Sequence, residues 1–88
     1  MFKRNLFGLG RILSDDGFSV YYGNKTLYYT DHRGTFQIGY EDDLLFPNSL
    51  RWMKSNGELS ESDRSLILDR MLRALEWDGR RVRLRTLP

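Results

Sequence analysis

A chain of 88 residues with 40% hydrophobic and 30% charged side chains is sufficient for one small globular domain, and too short for a cofactor domain beside a substrate domain. Its formal net charge of +2, from 14 basic and 12 acidic residues, excludes a strongly basic nucleic-acid-binding arm. The absence of Cys excludes a disulfide scaffold, a thiolate metal site and a Cys nucleophile.

The N-terminal segment starts with basic side chains, and two glycines and Arg11 interrupt its apolar run. That run is too short for a signal peptide and far too short to cross a bilayer. We therefore expect a soluble, cytoplasmic protein in which residues 1–88 form a single domain. Residues 1–9 fit either a short helix or an edge strand, and the sequence leaves that choice open.

Short runs rich in aromatic and β-branched residues follow, separated by turn-forming residues. The runs are Phe18–Tyr22, Thr26–Thr30 and Thr35–Tyr40, and the turn signals are Asp15–Gly17, Gly23–Asn24 and Asp31–Gly34. This spacing predicts an antiparallel β-meander.

The turn signals also predict a register. A two-residue turn at Gly23–Asn24 pairs Val20 with Leu27, and it leaves Tyr28 diagonal to Tyr21. The four-residue turn at Asp31–Gly34 pairs Thr30, the last residue of the second run, with Thr35, the first residue of the third run. Both turns place the same apolar side chains on one face: Phe18, Val20, Leu27, Tyr29, Phe36 and Ile38.

A helix is predicted in the second half of the chain. Ser60 is a strong N-cap with Asp63 at the third helical position, and Gly79 is expected to end the helix after about Asp78. The apolar stripe that should cover the sheet consists of Ile67, Leu68, Met71, Leu72 and Leu75, with Ala74 at its margin.

Two further short strands flank this helix. Ser49–Met53 follows a predicted turn at Pro47–Asn48, and Arg81–Thr86 alternates apolar and Arg side chains, as a half-buried edge strand does. The sequence therefore predicts an α+β fold. Its core is an antiparallel β-meander of four to six strands, with one main helix of the C-terminal half packed on one face.

No motif assembles a catalytic centre. The single His, His32, lies in a turn without a Ser placed to act as its nucleophile. The carboxylates of Asp15–Asp16 and Glu41–Asp43 occupy consecutive positions, which point to opposite faces of a strand. We therefore expect a protein that is not an enzyme and that uses no cofactor and no metal.

Aromatic residues are the main functional signal, because they make up 14% of so small a chain. Tyr21 and Tyr28 are predicted on the outer sheet face, where a phenol offers contact area and a polar tip to a protein or a nucleic acid. Two alternatives remain: Tyr simply favours strands, or the N-terminal segment covers this face.

A second candidate surface lies on the helix. Leu66 and Trp77 are eleven residues apart, so they share one line on the helix, with Arg70 and Arg73 between them. This grouping resembles an interface anchor. The alternative is that Trp77 folds over the C-terminal strand with Arg73 stacked on its ring.

Two charge clusters complete the candidates. Glu41, Asp42 and Asp43 suit a basic partner, and Arg80–Arg85 suits an acidic one. Both clusters are also typical of an ordinary solvated surface.

The element order of the second half resembles a known family. The segments that carry the resemblance are Phe46–Trp52, Glu58–Asp63, Ile67–Arg70 and Arg81–Leu84, downstream of the meander. Together they are similar to the immunity-protein-74-type family of bacterial polymorphic toxin systems. The resemblance implies a small cytosolic protein that neutralises a cognate toxin by occlusion. Because this chain is net basic, it also implies that Glu41–Asp43 acts locally or that the toxin is not a basic nuclease.

The sequence thus favours a non-enzymatic protein-binding module, an immunity protein that binds a toxin domain and no membrane. The alternative is a small nucleic-acid-binding domain that uses the sheet tyrosines and the C-terminal arginines. The predicted partner-binding residues are Tyr21, Tyr28, Glu41, Asp42, Asp43, Arg70, Arg73 and Trp77.

Overall fold

A computed structural model of the chain describes residues 1–5, 11–53 and 59–85, which form seven strands and one helix. The elements are β1 (Phe2–Asn5), β2 (Arg11–Ser14), β3 (Ser19–Gly23), β4 (Thr26–Asp31), β5 (Gly34–Glu41), β6 (Leu44–Trp52), α1 (Glu61–Trp77) and β7 (Arg83–Leu84). The strands form one sheet in sequence order, antiparallel except that β7 runs parallel to β6. The α+β class and the single main helix are confirmed, and the described strands outnumber the predicted four to six.

The N-terminal hairpin accounts for part of the difference. Phe2–Asn5 of the ambiguous first nine residues forms β1, which pairs with β2 so that Phe2 lies opposite Ser14. Both strands have only four residues and carry several charged or polar side chains, so their alternation is weak as a signal. Positions 6–10 lie outside the described residues.

The β4–β5 register is confirmed, since Thr30 pairs with Thr35 as predicted. The predicted β3–β4 register is wrong. Val20 pairs with Tyr29 instead of Leu27, and the turn lies at Asn24–Lys25. The shift is two residues, so every side chain keeps its predicted face. All six side chains predicted on the apolar face are buried.

β6 is one continuous strand, and the predicted turn at Pro47–Asn48 is wrong. The β5–β6 register slips between Gln37 and Gly39, so this stretch is accommodated as an irregularity in the ladder. Ser49 stabilises it. Its hydroxyl accepts a hydrogen bond from the Gly39 backbone N–H at 2.7 Å and donates one to the Phe46 carbonyl at 2.7 Å.

α1 packs on the apolar face of the sheet. Ser60 caps it by accepting a hydrogen bond from the Asp63 N–H at 3.1 Å, and Gly79 follows its end with a φ of +81°. The predicted bounds are therefore confirmed. Within the stripe, Leu68 and Leu72 are only half-buried, and the fully covered helix residues are Ile67, Met71, Ala74 and Leu75.

The C-terminal strand is shorter than predicted. Of the described residues, Arg83 and Leu84 alone pair with β6, and both are exposed, so Leu84 is not on a buried side. Thr86 lies outside the described residues. Val82, which precedes β7, is half-buried against the core, so the predicted burial is found at Val82 and not at Leu84. In the described part of the chain, no helix is long and apolar enough to cross a membrane.

Candidate binding surfaces

The sheet face opposite α1 carries a row of side chains that we call the tyrosine row. Tyr21 and Tyr28 stand directly opposite one another on β3 and β4, not diagonally as the predicted register implied. Their rings stack with centroids 4.8 Å apart and an interplanar angle of 17°. Each ring therefore holds the other in place.

Arg11 extends the tyrosine row on one side. Its guanidinium lies 4.4 Å from the centroid of the Tyr21 ring and donates a hydrogen bond to the Ser19 hydroxyl at 3.2 Å. The Tyr21 ring is thus contacted by Arg11 on one side and by Tyr28 on the other. Cation–π contact and ring stacking together fix its orientation.

Gly23 makes room for the second ring. A Cβ atom at position 23 would lie 2.5 Å from Cε2 of Tyr28, well inside van der Waals contact. The sequence suggests a turn residue at this position, but Gly23 is the last residue of β3 and has no positive φ. Its missing side chain allows Tyr28 to lie across β3 and reach Tyr21.

The tyrosine row continues on the other side through Gln37 and Arg51. Gln37 lies opposite Tyr28 on β5, and Arg51 lies opposite Gln37 on β6. With its amide oxygen facing Arg51, Gln37 accepts hydrogen bonds from Nε at 2.7 Å and Nη2 at 2.8 Å. The complete row, from β2 to β6, is Arg11, Tyr21, Tyr28, Gln37 and Arg51.

Sequence reasoning named the two tyrosines of this row as site residues and did not name Arg11, Gln37 or Arg51. These three residues lie in different strands, and only the register places them side by side. The β4–β5 turn could have identified Gln37, because the correctly predicted pairing of Thr30 with Thr35 also sets Gln37 opposite Tyr28.

A second surface is a groove of about 950 Å³ between α1, the β5–β6 turn and residues 80–84. It brings together Asp42, Asp43 and Arg73 of the predicted site residues. Arg73 forms an ion pair with Asp69 at 3.0 Å, one helical turn away. The carboxylate of Asp43 accepts a hydrogen bond from the Tyr40 hydroxyl at 2.7 Å.

Some ionisable groups in and beside this groove are paired within the chain, as Arg73 is with Asp69. Burial, together with the hydrogen bond to Asp43, raises the pKa of Tyr40, so this phenol stays protonated and acts as a donor. Glu41, at the end of β5, lies 3.8 Å from the ammonium of Lys25. The acidic cluster is therefore partly engaged within the chain.

Arg70 contacts the core, whereas Arg73 and Trp77 of α1 are exposed. Arg70 is half-buried: it donates a hydrogen bond to the Tyr29 hydroxyl at 2.9 Å and lies 5.0 Å from the Phe18 ring centroid. Trp77 is 45% exposed, and its ring lies 6.0 Å from that of Phe2 on β1. Trp77 packs against the N-terminal hairpin but remains exposed, as does Leu66 on the same line of α1, so the interface anchor stays a prediction.

A buried ionic network joins β4 to α1. The Asp31 side chain, 1% exposed, accepts hydrogen bonds from the Tyr29 hydroxyl at 2.8 Å and from the Arg33 backbone N–H at 2.8 Å. Arg33 also forms ion pairs with Asp31 at 2.7 Å and with Asp63 of α1 at 2.9 Å. This network fixes the β4–β5 turn against the helix.

The contacts of Asp31 set its charge state. Burial by itself would raise the pKa of this carboxyl, but the hydrogen bonds from Arg33 and Tyr29 outweigh it and hold the pKa below its usual range. Residues 1–5, 11–53 and 59–85 contain no group of three or more acidic or His side chains that could hold a metal ion. His32, beside this network, is exposed.

Asp42 and Asp43 form the two-residue turn between β5 and β6, and both have positive φ, +52° and +61°. Such a turn strongly favours Asn or Gly. We expect Asp42→Gly to raise the free energy of unfolding by about 0.5–1 kcal/mol, because Gly adopts this conformation without strain. Urea denaturation measures the change.

Asp43→Gly is the matched control for that prediction. It relieves the same backbone strain but removes the acceptor of the Tyr40 hydrogen bond, so it should give no gain. Equal stabilisation by both variants would show that the Asp43 contacts contribute nothing.

Comparison with known proteins does not assign the chain to a family: no family model, no curated protein and no solved structure matches it. The resemblance to an immunity-protein family therefore remains a hypothesis. The class of protein must be inferred from the surfaces described above.

Proposed function

We propose that this chain is a non-enzymatic protein-binding module that binds another protein through the sheet face opposite α1. The tyrosine row is the observation that carries the proposal. Its rings are held by stacking and by Arg11, so little side-chain entropy remains to be lost on binding. No described residue hydrogen-bonds to the hydroxyl of Tyr21 or Tyr28, which leaves both polar tips available to a partner.

The class of module that best fits these features is an immunity protein, which neutralises a bacterial toxin domain in the cytoplasm by covering it. The element order of β6, α1 and β7 supports this choice, as does the absence from the described residues of a metal cluster. Occlusion needs an interface of roughly 800 Å² on each partner and no reacting group. A rigid, aromatic sheet face supplies that kind of surface.

Co-expression tests the proposal. The full chain, carrying an affinity tag, is produced together with the product of the gene encoded next to it. We expect the two proteins to co-purify as a stoichiometric complex and the chain to protect cells from growth arrest by that product. Absence of both the complex and the protection would contradict the proposal.

Nucleic-acid binding is the second candidate function, because the tyrosine row ends in two arginines. The geometry of the row argues against nucleic-acid binding. Arg11 and Tyr28 already contact the two sides of the Tyr21 ring, so a base cannot stack on this ring. If single-stranded DNA or RNA is the partner, its affinity should fall steeply between low and moderate salt. If no binding is measured, or if the affinity does not change with salt concentration, the nucleic-acid-binding hypothesis is rejected.

A further inference from the structure

The sheet face opposite α1 has an uneven charge. Besides Arg11 and Arg51 it carries Lys3, because Lys3 pairs with Leu13 and Leu13 pairs with Ser19, and directly paired residues share a face. Neutral side chains fill the positions between these cations: Ser19, Thr26, Thr30, Thr35 and Gln37. Strand alternation places one carboxylate on this face, that of Glu41 at the end of β5. The ammonium nitrogen of Lys25 lies 3.8 Å from Oε1 of Glu41.

The cations of this face have no acidic counterpart. Among the described residues, no carboxylate lies within ion-pair distance of Lys3, Arg11 or Arg51. Elsewhere Arg33 pairs with Asp31 and Arg73 with Asp69, whereas Arg81, Arg83 and Arg85 have no described carboxylate within ion-pair distance. The sheet face opposite α1 is therefore distinguished by cations that are unpaired among the described residues and that lie in one row with aromatic and amide side chains.

The positive groups are also oriented. The Arg11 guanidinium is held on the Tyr21 ring, and Arg51 is held by Gln37 through two of its N–H groups. A guanidinium fixed in this way retains N–H donors that suit the two oxygens of a carboxylate. Between the two arginines stand Tyr21 and Tyr28, whose hydroxyls form no hydrogen bond with any described residue and are further donors.

We infer that the tyrosine row binds a carboxylate-rich protein surface, with Arg11 and Arg51 each engaging an acidic side chain. This inference rests on the proposed protein-binding function and specifies the chemistry of the partner. The donors of the row suit the oxygens of carboxylates and phosphates alike. A carboxylate-rich protein fits better than a nucleic acid because Arg11 and Tyr28 already contact the two sides of the Tyr21 ring, which leaves no side for a base. The acidic turn at Asp42–Asp43 then plays no part in this interface.

Nuclear magnetic resonance titration of the full ¹⁵N-labelled chain tests the inference, with poly-L-glutamate as the probe. We expect amide shifts concentrated at the tyrosine row and its neighbours. Arg51→Glu should weaken the response about tenfold, because it replaces an attraction with a repulsion. Arg73→Glu is the matched control: it makes the same charge change at an exposed position of α1, on the other side of the sheet, and should have less than about a twofold effect.

Three outcomes would overturn the inference: shifts centred on residues 80–85, equal losses in the two variants, and a response of the tyrosine row to oligothymidine but not to poly-L-glutamate. Arg51 is exposed, so Arg51→Glu should fold, and Arg51→Gln supplies a second variant that removes the charge without reversing it. The titration needs no partner protein. Failure of the co-expression experiment would therefore reject the proposed function alone.

Discussion

Replacing Asp31 with Asn should destabilise the protein by about 3 kcal/mol, the largest effect that we expect from a single polar substitution. The Asp31 carboxylate is buried and accepts hydrogen bonds from Tyr29 and from both the backbone and the side chain of Arg33. Its loss leaves the Arg33 guanidinium, itself only 23% exposed, with one remaining carboxylate. Urea denaturation at pH 7 measures the difference.

Asp69→Asn is the control for this substitution. Asp69 forms an exposed ion pair with Arg73 on α1, and its removal should cost less than about 0.5 kcal/mol. Similar losses in the two variants would mean that the buried network contributes no more than a surface pair.

The same network predicts a pH dependence. The pKa of Asp31 is lower in the folded protein than in the unfolded chain, so the stabilisation is fully present above the unfolded value of about 4. It is lost as the pH falls from there through the folded value. The stability difference between the wild type and Asp31→Asn should therefore shrink below about pH 4, and a difference that stays constant down to pH 2 would contradict the assignment.

Replacing Tyr28 with Ala should weaken binding of the co-purifying partner by about 30-fold, the loss typical of a central aromatic contact. Tyr28 orients Tyr21 as well as offering its own hydroxyl, so one substitution disturbs two contacts of the tyrosine row. Titration calorimetry with the purified partner measures the change. Leu66→Ala, which removes an exposed side chain from α1, is the control and should leave the affinity unchanged.

Gly23→Ala tests the same geometry without altering either tyrosine. The new methyl group would lie 2.5 Å from Cε2 of Tyr28, so the ring must turn away from Tyr21. Because a side-chain tip can move easily, the free energy of unfolding should change by less than about 1 kcal/mol. The ring-current shifts of the pair should disappear, and binding should weaken about tenfold; a retained stack would show that Gly23 does not position Tyr28.

Much of the fold could be predicted because the spacing of apolar residues along the chain indicates which side chains are buried. The apolar positions of α1 and of the meander follow the helical and strand repeats, and all six residues predicted on the inner sheet face are buried. Ser60 and Gly79 marked the helix ends through ordinary capping chemistry. These signals are local, and each can be read from a few neighbouring residues.

The errors in strand and turn assignment arise where contacts with side chains of other strands, and not the local residue pattern, determine the backbone. Gly23 looks like a turn residue, but its role depends on the ring of Tyr28 five positions later. Pro47–Asn48 looks like a turn, but the Ser49 hydroxyl supplies hydrogen bonds that keep this stretch within β6.

The candidate site was predictable only in part, for a related reason. Arg11 and Arg51 are separated by forty positions, and neither carries a motif. Their shared position in the tyrosine row follows from four strand pairings, one of which was predicted with a register error.

The short final strand has a consequence for behaviour at high concentration. An exposed sheet edge is a template on which a second molecule can add a strand and begin polymerisation. Among the described residues, β7 covers Leu44 and Leu45 of β6 with Arg83 and Leu84, and Arg81 and Arg85 lie close to them in the chain. A copy approaching β7 in register would gain few backbone hydrogen bonds and would bring like charges together, so strand addition at β7 is disfavoured.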